Sequence, residues 1–141
     1  MPWSLRSVFI LVGCVVATWA FSGRTQAQNQ ATYAGAEGCL CHADPVQSGW
    51  QKSKHARAFQ LLKLAGQEKN DKCLPCHTTG YGRGGYGTAG VTVNLEGVQC
   101  EECHGPAGDH AGTMDKAKVT RTPSALVCAR CHLDRGIHPM K

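Results

Sequence analysis

The longest apolar stretch of the chain is a run of 14 residues, 8–21, close to the N-terminus. Arg6 precedes the run, Arg24 follows it, and Ala27 offers a small residue for cleavage. This order is typical of a secretory signal peptide, and the run is shorter than the roughly 20 residues that a membrane-spanning helix needs. We therefore predict a signal peptide over residues 1–27 and an exported, periplasmic mature domain over residues 28–141.

Two other interpretations of the N-terminus stay open. The residues Leu11-Val12-Gly13-Cys14 resemble a bacterial lipobox, in which Cys14 would carry a lipid. The apolar run could also remain as an uncleaved anchor. Either alternative would attach the protein to a membrane.

One segment of the mature chain has the pattern of an amphipathic helix. Asp44-Pro45 is typical of a helix start, and Gly66 of a helix end, so we predict a single helix from Val46 to Ala65. On such a helix three side chains would share one face: His55, Phe59 and Leu62. This face is apolar with one imidazole, which suits docking on a flat apolar group; the alternative is that His55 is an ordinary surface histidine.

The remaining patterns are short. Gly80 to Gly90 is glycine-rich and predicts a loop, in which Tyr81 and Tyr86 either pack inward or lie exposed. Apolar residues alternate only from Val91 to Leu95, which predicts at most a short strand. The sequence therefore predicts a mostly α fold with extensive irregular loops.

Composition shows that apolar packing alone does not hold this fold together. The 141 residues include nine Cys and seven His but only nine aromatic side chains, and 17 are Gly. A small chain with so few large side chains needs disulfides, a metal or a cofactor. Removing residues 1–27 leaves 13 basic and 10 acidic residues without a long basic run, so nucleic acid is not an indicated partner.

The spacing of the cysteines favours a cofactor over disulfides or a metal alone. Three segments have the pattern C-x-x-C-H: Cys73-Leu-Pro-Cys76-His77, Cys100-Glu-Glu-Cys103-His104 and Cys128-Ala-Arg-Cys131-His132. This is the pattern of c-type haem attachment, in which two thiols bond to the haem vinyl groups and the adjacent imidazole ligates the iron. We expect each segment to lie on a short helical turn.

A fourth segment, Cys39-Leu40-Cys41-His42, is one residue shorter. We interpret it as a fourth haem site with a compressed loop, held by one or two thioethers. The alternative is a disulfide or free thiols beside a surface histidine. Zinc is a further alternative for all four pairs, but a zinc site does not require His directly after every second Cys.

The segments between the cysteine pairs resemble a known family. Tyr33–Cys39, Trp50–Phe59, Cys76–Tyr81 and Gly97–Pro106 are similar to the multihaem cytochrome c-554 family, and the resemblance extends from about Tyr33 to His132. It implies an exported tetrahaem electron carrier of the kind found in ammonia oxidisers and other respiratory chains. The chain departs from the family in its short first motif and in its length.

Counting histidines limits the iron ligands. The four motif histidines are the predicted proximal ligands: His42, His77, His104 and His132. Three others remain as distal ligands, namely His55, His110 and His138, so one of four haems lacks a histidine on its distal side. The family resemblance implies that this haem is the one at Cys73-Cys76-His77. Met114, Met140 or a histidine from a second copy of the chain could instead supply its sixth ligand.

These features favour a non-enzymatic electron carrier in which four stacked haems form the core of a small domain. Its partners would be a redox protein donor and a redox protein acceptor. The alternative is a haem enzyme or a protein that binds nitric oxide or another nitrogen oxide at one open iron. No catalytic residues are predicted, because no acid, base or nucleophile stands beside a motif in a recognisable arrangement.

Overall fold

The computed structural model describes residues 32–42 and 44–132. The predicted signal peptide over residues 1–27, the lipidation alternative at Cys14 and the predicted ligand His138 lie outside these residues, as does Met140. The described part contains six α-helices, α1 to α6 in chain order: Val46–Gln51, Ala58–Leu64, Leu74–His77, Cys100–His104, Gly108–Thr113 and Ala125–His132. Two 3₁₀ helices, Ala36–His42 and Lys116–Lys118, complete the described elements.

All four cysteine motifs lie on helical turns, as the sequence predicts. The first motif is on the 3₁₀ helix Ala36–His42, and the other three are on or at α3, α4 and α6. The motif helices pack in twos: the 3₁₀ helix Ala36–His42 lies against α4, and α3 lies against α6. The packing therefore brings the first motif to the third and the second to the fourth.

The predicted single helix from Val46 to Ala65 is wrong, because the chain forms α1 and α2 with turns at residues 52–57 between them. A contact with a distant segment accounts for the break. The indole of Trp50 donates to the Val98 carbonyl at 2.8 Å, and the Val98 N–H donates to the His55 carbonyl at 3.0 Å. These bonds place His55 on a turn before α2.

The two ends of this region differ in how well the sequence predicts them. Pro45 is the N-cap of α1, where no side chain makes a capping hydrogen bond, so Asp44 is not the cap. The predicted stop at Gly66 is confirmed. Gly66 has a φ of +63°, and the Gln67 N–H donates to the Leu62 carbonyl at 2.8 Å in the pattern of a Schellman motif.

The apolar core of the described residues is small. Phe59, Leu62 and Leu74 form its buried cluster. Tyr81 and Tyr86 pack against this cluster, with the rings of Phe59 and Tyr86 5.4 Å apart, so the loop tyrosines face inward. His55 does not share the face of Phe59 and Leu62, since it precedes the helix that carries them.

The described residues contain no β-sheet, only one isolated bridge between Thr78 and Glu96. Val91, Val93 and Leu95 therefore form no strand. The fold class predicted from the sequence, mostly α with irregular loops, is confirmed. Within the described ranges, no helix is both long enough and apolar enough to cross a membrane.

Candidate haem-binding site

Four of the predicted ligand histidines meet in two pairs. The ring centres of His42 and His110 are 6.1 Å apart, with 27° between the ring planes. The ring centres of His55 and His132 are 6.0 Å apart, with 60° between the planes. Each pair joins a histidine from a cysteine motif to one from outside the motifs.

The spacing of both pairs fits two imidazoles that share one metal atom. Metal–nitrogen bonds of about 2 Å and about 1 Å from each nitrogen to its ring centre together span roughly 6 Å. Rings in direct contact have centroids about 4.5–7 Å apart, so the separation is compatible with direct contact as well as with a shared metal atom. The two pairs therefore have the separation that an iron atom between the rings would require.

Local structure positions the non-motif member of each pair. The His55 carbonyl accepts from the Val98 and Ala58 N–H groups, at 3.0 and 3.1 Å, which fixes the turn before α2. His110 lies on α5, where its Nδ1 is 3.0 Å from the Asp115 carbonyl oxygen. The short helix therefore turns His110 toward the first motif rather than toward its sequence neighbour His104.

Backbone carbonyls fix the tautomer of three histidines. Nδ1 of His77 is 2.7 Å from the Ala58 carbonyl, and Nδ1 of His104 is 2.7 Å from the Thr120 carbonyl. Because a carbonyl only accepts, Nδ1 carries the proton in both residues and in His110, which leaves the Nε2 lone pair for a metal. This is the second-sphere bond that iron-ligating histidines commonly make.

The protonation of His55 also suits a ligand. Partial burial and the nearby His132 both lower the pKa of His55 below its usual value. At neutral pH the imidazole is therefore mainly uncharged, which is the form that ligates a metal.

Cysteines from different motifs approach each other. The nearby Cys100 thiol raises the pKa of Cys39, and the nearby Cys39 lowers the pKa of Cys100 to about 6. Burial and, to a smaller extent, the nearby Cys76 raise the pKa of Cys131 to about 12. These contacts repeat the helix packing, which joins the first motif to the third and the second to the fourth.

A third contact connects the two pairs of motifs. Burial raises the pKa of the Cys103 thiol, and the nearby Cys128 raises it further. Thiols of neighbouring motifs therefore lie close together when the motifs are taken in the order first, third, fourth, second. None of the eight cysteines of the described residues forms a disulfide, and no three His, Cys, Asp or Glu side chains in this part of the chain cluster as a metal site.

The two spacer residues of the third motif organise the site, which the sequence did not reveal. The buried Glu101 carboxylate accepts three backbone N–H groups, from Ala34, Gly35 and Ala107 at 2.7–2.9 Å. Glu102 is also buried; it accepts from Gly80 N–H at 2.9 Å and pairs with Arg83. The carboxylates therefore tie the third motif to the segments on either side of it.

Glu102 also reaches the fourth motif, because Arg130, the spacer residue of that motif, lies 4.0 Å from its carboxylate. Arg83 and Arg130 line an open cleft of about 480 Å³ beside Cys103, together with Val127 and Pro106. Glu101, Glu102 and several hydroxyl side chains also line the cleft, so its lining is mixed; the attachment thiol, the apolar residues and the two guanidinium groups are the features that suit a flat apolar cofactor with carboxylates. The residues present thus fit haem.

Comparison with known proteins agrees with the chemistry of this site. The family described as "Cytochrome c554 and c-prime" matches residues 37–105. The chain is 30% identical to cytochrome c-554 of Nitrosomonas europaea, in an alignment that covers 94% of this chain and 72% of that protein. No solved structure matches the chain. The chain therefore belongs to the cytochrome c-554 family, and it is a c-type cytochrome that binds haem c covalently and takes part in electron transfer.

Proposed function

We propose that the mature chain is an exported tetrahaem cytochrome that passes single electrons between a donor and an acceptor protein, and that it is not an enzyme. The observation that carries this proposal is the pair of histidine contacts at 6.1 and 6.0 Å, His42–His110 and His55–His132. In two distant parts of the chain, a pair of histidines has the spacing that two ligands on opposite sides of one iron would have. Haem iron saturated in this way supplies reversible one-electron oxidation and reduction without an open position for a substrate.

The cysteines of the four motifs would hold the haems through thioether bonds: Cys39, Cys41, Cys73, Cys76, Cys100, Cys103, Cys128 and Cys131. The motif histidines His42, His77, His104 and His132 would ligate the irons on the attachment side. His110 would complete the first site and His55 the fourth. The closeness of the thiols in the order first, third, fourth, second supports short distances for electron transfer between neighbouring haems.

One haem would then lack a distal histidine, because His138 is the last histidine available for the two remaining sites. Family resemblance favours the second motif, at His77, for the haem without one. Within the described part of the chain, Met114 is 60% exposed at the end of α5, which gives no support to its role as the replacement ligand.

The periplasm is the expected compartment, since c-type haem is attached where exported chains arrive and the family is generally exported. The N-terminal apolar run supports this location. Membrane association would follow from either alternative for that run, the lipidated Cys14 or the uncleaved anchor.

The test combines a haem count with histidine variants of the holoprotein. Intact mass and the pyridine haemochrome assay should give four haems per mature chain. His55→Ala and His110→Ala should each convert about a quarter of the haem from low spin to high spin in the electron paramagnetic spectrum, and the double variant about half. Added imidazole should restore the low-spin signal.

Two neighbouring exposed residues provide matched controls, Lys54→Ala for His55 and Asp109→Ala for His110. Both controls should leave the spin states unchanged. Unchanged spectra in the histidine variants would contradict the ligand assignment, and three haems per chain would remove the first site. Binding of nitric oxide to more than about a quarter of the haem in the unaltered protein would contradict the six-coordinate assignment of the other haems.

A further inference from the structure

The segment around His55 carries an uncompensated positive charge. Residues 45–67 contain four basic side chains and no acidic one. Lys63 is neutralised by Glu96, at 2.8 Å. The other three are exposed, and no acidic side chain of the described residues lies within ion-pair distance of them: Lys52, Lys54 and Arg57. We call these three residues the 52–57 cluster.

The 52–57 cluster lies directly around a proposed iron ligand. The three residues flank His55, which is itself partly exposed and whose ring centre lies 6.0 Å from that of His132. The turns at residues 52–57, held by the Val98 N–H bond to the His55 carbonyl, present all four side chains on one short stretch of surface. A positively charged surface thus surrounds a proposed iron ligand that solvent can reach.

A second basic stretch lacks this arrangement. Lys116, Lys118 and Arg121 are also exposed, but Asp115 stands directly beside them. Two proposed ligands lie near it, His104 and His110; both are only half-exposed, and their Nδ1 atoms bond to the Thr120 and Asp115 carbonyls. This stretch carries a similar number of lysines without surrounding an exposed ligand, and it therefore serves as an internal comparison.

We propose that the 52–57 cluster is the docking surface for an acidic redox protein that exchanges electrons with the fourth haem through the His55 side. This inference rests on the proposed function. A membrane surface would be attracted by the same charge, but its binding would not require an iron ligand at the centre of the cluster. A protein that exchanges electrons does gain, because its cofactor must come close to the haem.

Local charge matters here because the net charge of the holoprotein is small. The mature chain has an excess of three basic residues, which the haem propionates and ferric irons together bring to roughly −1. Long-range attraction by net charge is then weak, and a local patch decides the orientation of encounter. Such patches raise association rates by roughly 10- to 1,000-fold at low salt.

The test uses a plant-type ferredoxin of strong net negative charge as the probe, with the complete holocytochrome. Stopped-flow absorbance gives the second-order rate constant for haem reduction by the reduced ferredoxin, from about 10 to 500 mM ionic strength. Biolayer interferometry with immobilised oxidised ferredoxin gives binding without electron transfer. The variant is Lys52→Glu/Lys54→Glu, and its matched control is Lys116→Glu/Lys118→Glu, which makes the same change in charge at the same spacing.

The cluster variant should lower both the rate constant and the binding at low salt by at least about tenfold, and the control variant by less than about threefold. The difference should vanish at 500 mM salt, where the Debye length falls to only a few ångströms. Lys52→Arg/Lys54→Arg should retain the rate of the unaltered protein. Equal losses in both glutamate variants would overturn the proposal, because net charge would then explain them.

Three further outcomes separate this proposal from the proposed function and from membrane binding. Reduction by a photoreduced small flavin but not by the ferredoxin would overturn the docking surface and leave the proposed function standing. Failure of both reductants would contradict the proposed function itself. Binding to phosphatidylglycerol vesicles that the cluster variant loses, without any change in the ferredoxin rate, would assign the cluster to a membrane and overturn the protein partner.

Discussion

Two regions of this cytochrome are built on different principles. Residues 78–107 bury polar side chains and satisfy them internally; the buried ones are Thr78, Thr79, Gln99, Glu101 and Glu102. In contrast, every residue from 111 to 118 is exposed. The first region makes its hydrogen bonds across the molecule, whereas the second makes short-range bonds such as Ala117 N–H to the Asp115 carboxylate at 2.9 Å.

The second region meets the rest of the chain chiefly at its ends. Thr120 N–H donates to the His104 carbonyl at 3.0 Å, and His104 Nδ1 donates back to the Thr120 carbonyl. At the other end, Gly108 N–H donates to the Thr32 carbonyl at 2.8 Å. Residues 78–107 therefore form a scaffold through buried protein contacts, whereas residues 108–120 are held by backbone bonds at their two ends and by the contact of α5 with the 3₁₀ helix Ala36–His42.

The largest expected effect comes from a buried carboxylate in the scaffold. Glu101→Gln should lower the free energy of unfolding by about 3 kcal/mol, because an amide nitrogen would face backbone N–H donors that the carboxylate now accepts. Urea unfolding of the holoprotein, followed by far-UV circular dichroism, measures the change.

The matched control lies in the exposed region. Asp115→Asn also alters a carboxylate that accepts a backbone N–H, from Ala117, but this one is solvated. It should change the free energy of unfolding by no more than about 0.5 kcal/mol. Similar losses of unfolding free energy in both variants would show that the buried carboxylate stabilises the fold no more than the exposed one.

A slightly smaller effect is expected where the scaffold touches the turn that carries His55. Gly97 has a φ of +82°, and a Cβ there would lie 2.7 Å from the Ala56 carbonyl oxygen. Gly97→Ala should therefore lower the free energy of unfolding by about 2–3 kcal/mol, through backbone strain and the collision together. The same unfolding experiment measures it.

Gly90 separates these two causes, since its φ is +85° but a Cβ there would meet nothing within 4 Å. Gly90→Ala should cost only about 1 kcal/mol, the penalty for the left-handed conformation alone. If Gly97→Ala cost no more than Gly90→Ala, the close approach between the scaffold and the turn would carry no energetic weight.

The sequence predicted the features that depend on local chemistry. The motif helices follow from cysteine spacing, and the end of α2 follows from Gly66, because both need only neighbouring residues. The sequence named His55 and His110 as distal ligands but did not predict which motif each of them approaches. Whether these histidines ligate iron stays a prediction.

The features that the sequence did not predict depend on distant contacts. The break between α1 and α2 follows from the bonds that Val98 makes with Trp50 and His55, and no pattern within residues 46–65 encodes it. Glu101 and Glu102 occupy the two positions of the haem motif whose residue type the motif does not specify. Glutamate side chains are mostly exposed in proteins, so only the fold reveals that these two are buried and hydrogen-bonded.

The smallest expected effect tests whether residues 108–120 unfold together with the scaffold. Gly112 lies within α5, and a Cβ there would meet nothing within 4 Å. Gly112→Ala should stabilise the helix by about 0.5–1 kcal/mol, because alanine loses less backbone freedom in a helix than glycine. If this region opens locally before the scaffold unfolds, hydrogen exchange at residues 110–114 should slow about two- to fivefold, while the global free energy of unfolding stays within about 0.3 kcal/mol. A rise of the global free energy by the whole amount would instead show that α5 unfolds together with the scaffold as one cooperative unit.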